Sequence, residues 1–211
     1  MEKGVLYYYY FILQYSPLIP LVLGAVRFRH LEHPRRLFLL YLLVSLLLTI
    51  AMTILALRHQ NNLWLMNLGF LVYAGIILWT FSMWQKNHAV KRIFRGAIAF
   101  FCLVWGAEFL ISQNLFSYTV ITKPTLDILF IAAACITIFQ ANNETDVPVV
   151  DQPKFWIGSG ILLYYGGILT INLLSKELLG QSQDTLRAVL YIQPALNLAA
   201  HLLYLNGYRL K

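Results

Sequence analysis

Leu37-Phe38-Leu39-Leu40-Tyr41-Leu42-Leu43-Val44-Ser45-Leu46-Leu47-Leu48-Thr49-Ile50-Ala51-Met52-Thr53-Ile54-Leu55-Ala56-Leu57 runs for twenty-one residues without a charge. As a helix rising 1.5 Å per residue it reaches roughly 30 Å, the thickness of a hydrocarbon core. Six further stretches of similar character flank it: Val5–Val26, Leu63–Trp84, Gly96–Ser112, Ser117–Phe139, Phe155–Ser175 and Thr185–Tyr208. Short polar connections separate them, and no soluble domain is left over. The pattern predicts an all-α polytopic membrane protein, a single domain over residues 1–211 built as a bundle of seven transmembrane helices.

Composition points the same way. Hydrophobic residues make up 59% of the chain and charged residues 12%, against roughly 45–50% and 25% in soluble domains. The formal charge of +7 would suit nucleic acid if it were clustered on one face. Instead the basic residues sit at helix ends, where they set orientation and meet lipid phosphates, so membrane lipids are the expected partner and nucleic acid is not. Cys102 and Cys135 both fall inside predicted spans and read as small core residues. The first stretch lacks a short apolar core followed by a small-residue cleavage site, so it is read as a mature helix.

Orientation follows from the connections. One set of alternate connections holds eleven Lys and Arg, among them Arg27, Arg29, Arg35, Arg36, Lys86, Lys91, Arg92 and Arg95. The other set holds four, namely Lys3, Arg58, Lys176 and Arg187. The positive-inside rule therefore places the amino terminus outside and the carboxyl terminus in the cytoplasm. The connection Ala141–Lys154 carries Glu144, Asp146 and Asp151 on the positive side, but acidic residues count little in this rule. Tyr7 to Tyr10, Trp64, Trp84, Tyr118, Trp156 and Tyr208 fall near predicted ends, where amphipathic rings belong. Gly158, Gly160, Gly166 and Gly167 give the sixth span a small-residue face for close helix packing.

Function has to come from polar side chains within the spans, because lipid gives them no partners. Glu108 on the fourth span and Lys123 and Asp127 on the fifth are the charged ones. Counted from the turn between these spans, Glu108 and Lys123 lie at similar depth, and Lys123 and Asp127 share a face at a spacing of four. The expectation is a Glu108–Lys123–Asp127 cluster in the outer half of the bundle, with Pro124 bending the fifth helix beside it. Gln193, Asn197 and His201 repeat every four residues along one face of the seventh span. Asn67 and Tyr73 of the third span, Tyr164 and Tyr165 of the sixth, and Gln14 and Tyr15 of the first complete a candidate ligand-binding cavity. The same residues are also compatible with a purely structural polar network.

Several sharper chemistries lack their residues. A retinal protein needs a Schiff-base lysine in its last helix, and the seventh span has none. A metallohydrolase needs several histidines within the membrane; His30, His33, His59 and His88 are in connections, leaving His201 alone, so no metal or cofactor is expected. No serine sits in a recognisable nucleophile context, and the balance leans against an enzyme.

Three segments carry a resemblance: Asn61-Asn62-Leu63-Trp64-Leu65-Met66-Asn67, Lys154-Phe155-Trp156-Ile157-Gly158-Ser159-Gly160 with Tyr164, and Ile192 to Tyr208. They resemble small, largely uncharacterised seven-helix integral membrane proteins of Bacteroidota, often encoded near sensor histidine kinases. Those proteins tend to carry an acid in the third span, where this chain has Leu71-Val72-Tyr73. The resemblance implies a bacterial inner-membrane location, a signalling context and a histidine kinase as a partner; it implies no reaction. The reading is therefore a receptor-like or accessory signalling protein sensing a small ligand, lipid or proton. A solute carrier or a structural membrane subunit is the alternative.

Overall fold

Helix ends fall where apolar runs give way to turn chemistry. In the computed structural model, described outside residues 1–12, 113, 114, 117, 118, 144–146, 180–182 and 211, the ordered elements are helical. The side chains of residues 112 and 172–191 also lie outside the described set. The beginning of the first predicted span, Tyr7 to Tyr10, Tyr118, Lys3, Glu144, Asp146 and the side chains of Lys176 and Arg187 are thus not described.

Among the described residues there are seven α-helices: α1 Leu18–Val26, α2 His33–Leu57, α3 Leu63–Trp84, α4 His88–Ser112, α5 Thr122–Asn143, α6 Pro153–Leu179 and α7 Gln183–Arg209. Five of them, α2 to α6, are long and apolar enough to cross a membrane. That makes the chain a multi-pass helical membrane protein. The described part of α1 is nine residues long, and α7 is not among the five.

Local chemistry explains the boundaries. Pro34 sits in the first turn of α2, where a missing backbone N–H costs no intrahelical bond. At the other end His59 adopts φ 55°, the left-handed conformation that commonly stops a helix. Its N–H reaches Ala56 O at 3.0 Å and the Gln60 N–H reaches Leu55 O at 2.9 Å, so two terminal carbonyls are satisfied in a Schellman arrangement. Asn87 Oδ1 accepts from Ala89 N at 2.8 Å and caps α4. That helix begins at His88 rather than the expected Gly96. Its extra turns carry Lys91, Arg92 and Arg95, and the Arg95 guanidinium lies 4.8 Å from the centre of the Trp79 ring. A long basic side chain covering apolar surface keeps the helix continuous where charge alone suggested a connection.

Packing arranges six of the helices in a closed ring. α1 lies against α2 and α7, α7 against α6, α6 against α5, α5 against α3, and α3 against α2. α4 packs on the outside, against α3 and α5. Within the ring, the end that holds the start of α2 and the finish of α7 is densely filled. Phe38, Leu42, Ile77, Leu78, Phe81, Phe130, Ile157, Tyr204 and Tyr208 are all buried there. Large apolar residues such as Leu47, Ile54, Phe100, Leu103 and Ile111 remain exposed on the perimeter, as acyl chains require. Cys102 and Cys135 are exposed on that perimeter too, which corrects their assignment to the core: each lies on the outward stripe of its helix.

Three of the four glycines of α6 make the close approaches expected of them. A methyl group on Gly158 would meet Ile138 of α5 at 3.1 Å, and one on Gly167 would meet Leu196 of α7 at 2.4 Å. On Gly160 it would lie 2.3 Å from Tyr204 and 3.0 Å from the Ala200 carbonyl, and backbone cannot move aside as a leucine end can. Gly166 has nothing within 4 Å. Gly160→Ala is therefore expected to cost about 1–3 kcal/mol by overpacking, whereas Gly166→Ala gains up to about 1 kcal/mol of helix propensity. Thermal melting of the two variants in the same detergent checks the contrast; equal midpoints would contradict this packing.

Candidate functional site

The ring encloses a cavity of about 350 Å³ at the end of the bundle opposite the dense aromatic core. Five of the six ring helices and the segment that leads into the sixth contribute. Gln14 and Pro17 come from the segment entering α1, Tyr41, Ser45, Thr49 and Met52 from α2, and Met66, Phe70 and Tyr73 from α3. Lys123 comes from α5, Tyr164, Tyr165 and Ile168 from α6, and Gln193, Pro194 and Asn197 from α7. Sites for small molecules have this character, with mostly apolar and aromatic walls and a few placed polar groups.

Lys123 is the charged group on the wall. Its Nζ lies 2.5 and 2.6 Å from the two carboxylate oxygens of Asp127, one turn further along α5. The Asp127 side chain is fully enclosed, at 0% exposure, and the lysine retains 16%. The ammonium also stands 5.8 Å from the centre of the Tyr165 ring. A spacing of four brings acid and base together on one helix face, and the enclosed position removes the water that weakens such pairs at a surface. The pair carries no net charge, so the cavity presents a polarised wall rather than an ionic one.

Tyrosines build the rest. The Tyr41 and Tyr165 hydroxyls are 3.4 Å apart. Tyr41 meets Tyr73 edge to face with ring centres 5.3 Å apart, and Tyr164 meets Tyr165 likewise at 4.9 Å. These contacts tie α2, α3 and α6 together across the ring and fix the aromatic faces without filling the space between them.

Of the site residues expected from sequence, Lys123, Asp127, Tyr73, Tyr164, Gln193 and Asn197 are brought to this place, Asp127 from behind the lysine. Gln14 and Tyr165 join them. Three others are employed elsewhere. Glu108 makes no ion pair with Lys123. Its Oε1 accepts from Val120 N at 2.7 Å and Ile121 N at 3.1 Å, and its Oε2 from Thr122 N at 2.6 Å. The expected three-residue cluster fails because α5 begins at Thr122, not near Ser117. Lys123 is thus in the first turn of α5, and Glu108 of the outlying α4 accepts from the Thr122 amide that opens that turn and from the two amides before it. For the same reason Pro124 occupies a first-turn position, where it needs no bend to be accommodated.

His201 is the second departure from the expected set. Its Nδ1 is 2.9 Å from Ser16 Oγ in a buried contact joining α7 to the start of α1, and it does not line the cavity. The polar row on α7 therefore divides, its first two members facing the cavity and its third fastening helices. Asn67 is the third. Its Nδ2 donates to Leu115 O at 2.8 Å, and its backbone carbonyl accepts from Trp105 Nε1 at 3.0 Å. Together with Asn61 Nδ2, which donates to Phe116 O at 2.9 Å, it secures the α4–α5 connection against α3.

Tyr41, Ser45 and Thr49 went unread in the sequence although their signal was present. They repeat every four residues within the uncharged run that defines α2, which places them on one face. Hydroxyl-bearing residues at that spacing are the mark of an inward stripe in a helix otherwise made of leucine.

The Glu108 cap can be measured. Glu108→Ala strips three amides of their acceptor and is expected to cost about 0.5–2 kcal/mol, the range for loss of an N-cap side chain. Glu108→Gln should retain part of it, because an amide oxygen still accepts hydrogen bonds. Melting temperatures in a neutral detergent give the order wild type, Gln, Ala; a silent Ala variant would remove the cap from the description.

Among the described residues no group of three or more His, Cys, Asp and Glu side chains is gathered as a metal set. No protein-family model, curated protein or solved structure matches the chain.

Proposed function

We propose that this chain is a receptor-like, accessory signalling protein of a bacterial inner membrane, crossing it seven times with the amino terminus outside. Its cavity receives a small molecule. The observation that supports this is the convergence of five ring helices and the segment entering α1 on one space whose wall carries an enclosed Lys123–Asp127 pair. A pair already neutralised selects against an isolated charge in the occupant. Tyrosine rings and the amides of Gln14, Gln193 and Asn197 suit a neutral or zwitterionic compound with an apolar body and hydrogen-bonding ends.

Signalling needs a second, distant consequence of occupancy. α7 supplies it: Gln193, Pro194 and Asn197 touch the cavity, Pro194 interrupts the helix interior, and the far end of α7 is held by Arg27 of the α1–α2 connection and Arg35 of α2. A ligand that binds one position of α7 better than another biases that end. The basic segments Arg27–Arg36 and Lys86–Arg95 then present the change to a membrane partner such as a histidine kinase.

The carrier alternative draws on the same proline, since an interrupted helix at a central site is also a transporter feature. Two measurements on the purified protein separate the readings. A stable complex with a membrane kinase, lost in a Gln193→Leu/Asn197→Leu variant, and no solute flux into proteoliposomes supports the receptor. Flux abolished by the same variant replaces it with the carrier, and neither complex nor flux leaves a structural subunit. Reporter fusions at the two termini and in each connection between helices test the seven crossings, which require the side to alternate at every one.

A further inference from the structure

At the opposite end of the bundle from the cavity, a groove of about 650 Å³ runs down the perimeter between α1 and α2. Its floor is apolar, formed by Leu21 and Ala25 of α1 and by Leu37, Leu40 and Leu43 of α2, with Phe28 at its head. His33 and Arg36 close that head, and Arg29 stands beside it, one carbonyl bond away from Arg36. We propose that this groove is a binding site for one anionic glycerophospholipid, with an acyl chain on the leucines and the phosphate at Arg36.

Length and charge both commit the groove to that occupant. His33 and Leu43 are ten residues apart on one helix, which is roughly 15 Å, or half of a hydrocarbon core of about 30 Å. The groove thus has the depth of one leaflet, with its polar end where headgroups lie. The α1–α2 connection and the first turn of α2 hold Arg27, Arg29, Arg35 and Arg36 against the single acid Glu32. Arg27 and Arg35 are engaged with carbonyls at the end of α7. Arg36 is held in place but not used up. Its Nε donates to Leu31 O at 2.8 Å and one Nη to Arg29 O at 3.2 Å, while the guanidinium lies 5.2 Å from the centre of the Phe28 ring. Three of the five N–H donors of its fork remain for a phosphate.

This site is independent of the cavity. The test uses the full-length protein in dodecyl maltoside, with phosphatidylglycerol, phosphatidylcholine of the same chains, or inorganic phosphate added. Retained lipid is counted by native mass spectrometry and stabilisation is read as a shift in melting midpoint. Phosphatidylglycerol should be retained in preference to phosphatidylcholine and should raise the midpoint, with inorganic phosphate doing neither. Arg36→Gln should weaken phosphatidylglycerol about fivefold, the value of one basic residue at a lipid surface. Leu40→Trp, which fills the groove but leaves every charge, should weaken it as well. If Arg36→Gln does not fold, the lipid preference of the wild type and of Leu40→Trp still decides the matter. Equal retention of the two lipids, the same stabilisation by inorganic phosphate, or a dimer that buries the groove and excludes lipid would each overturn the proposal.

Discussion

Replacing Lys123 with Met is expected to destabilise the protein by about 3–5 kcal/mol, the cost of breaking an enclosed ion pair from one side. The reason lies in Asp127. Its carboxylate is fully enclosed, and without the ammonium 2.5 Å away it must stay charged in a poor dielectric or take up a proton. Asp127→Leu should be damaging in the same way, since the lysine must either keep its charge with only the cavity mouth for solvation or give up its proton. Lys123→Met together with Asp127→Leu should recover much of the loss, because paired removal leaves apolar groups of similar size among Tyr165 and its neighbours. Urea or thermal unfolding in a fixed detergent gives the three values and their coupling. Additive single losses, with no recovery in the double variant, would show that the two side chains do not act as a pair. The same series separates structure from function. If the double variant is stable but lacks the complex with a membrane kinase proposed above, the pair belongs to the ligand site. If it is stable and still competent, the pair only holds the fold.

The helical membrane architecture was legible in the sequence because the hydrophobic effect writes it into every residue of a span. Leu37–Leu57 needs no partner to be recognised. What periodicity could not supply was which helix stands outside the ring. α4 carries a charged residue, Glu108, and by the ordinary argument a charge in a span faces inward. Here the carboxylate turns to the amides that open α5, so an outlying helix satisfies the rule by capping its neighbour. The error of position has a simple source. Apolar residues before Thr122 looked like part of a span, although the described residues just before it, Thr119, Val120 and Ile121, are not helical and the helix starts at Thr122. Moving the start by five residues changed the depth of Lys123, the role of Pro124 and the company of Glu108 together.

The cavity was more readable, because spacing survives such shifts. Lys123 and Asp127, like Gln193 and Asn197, are four apart wherever their helices begin. His201 obeys the same spacing and yet meets Ser16, since a row that continues for about two turns outruns a cavity that occupies only one end. Asn67 followed an inward-facing expectation and is indeed buried, but its side chain serves the α4–α5 connection. A sequence shows which polar groups must find partners within the membrane. Whether the partner is a ligand or a carbonyl depends on packing between distant helices.

At the opposite end, Arg35→Ala is expected to cost about 3–5 kcal/mol, through a cavity and a lost charged hydrogen bond together. Arg35 is among the largest fully buried side chains of the described residues, at 1% exposure. Its Nη1 donates to Leu210 O at 2.8 Å, and its own carbonyl accepts from the Tyr208 hydroxyl at 3.2 Å. Arg27 adds bonds to Tyr208 O at 2.9 Å and to Arg209 O. The final carbonyls of any helix lack intrahelical donors and carry its negative end, so two guanidinium groups here satisfy both needs. Arg35→Met should lose less than Ala, since it fills most of the volume, and Arg27→Ala less again, since that side chain is only partly buried. The local consequence is separable from the global one. If the arginines hold α7, carboxypeptidase should remove residues up to Tyr208 faster from Arg27→Ala and Arg35→Met than from wild type, under conditions where all three remain folded. Unchanged digestion with a lowered melting midpoint would assign Arg35 to packing alone, and α7 would then have no fixed end against which a ligand at Asn197 can work.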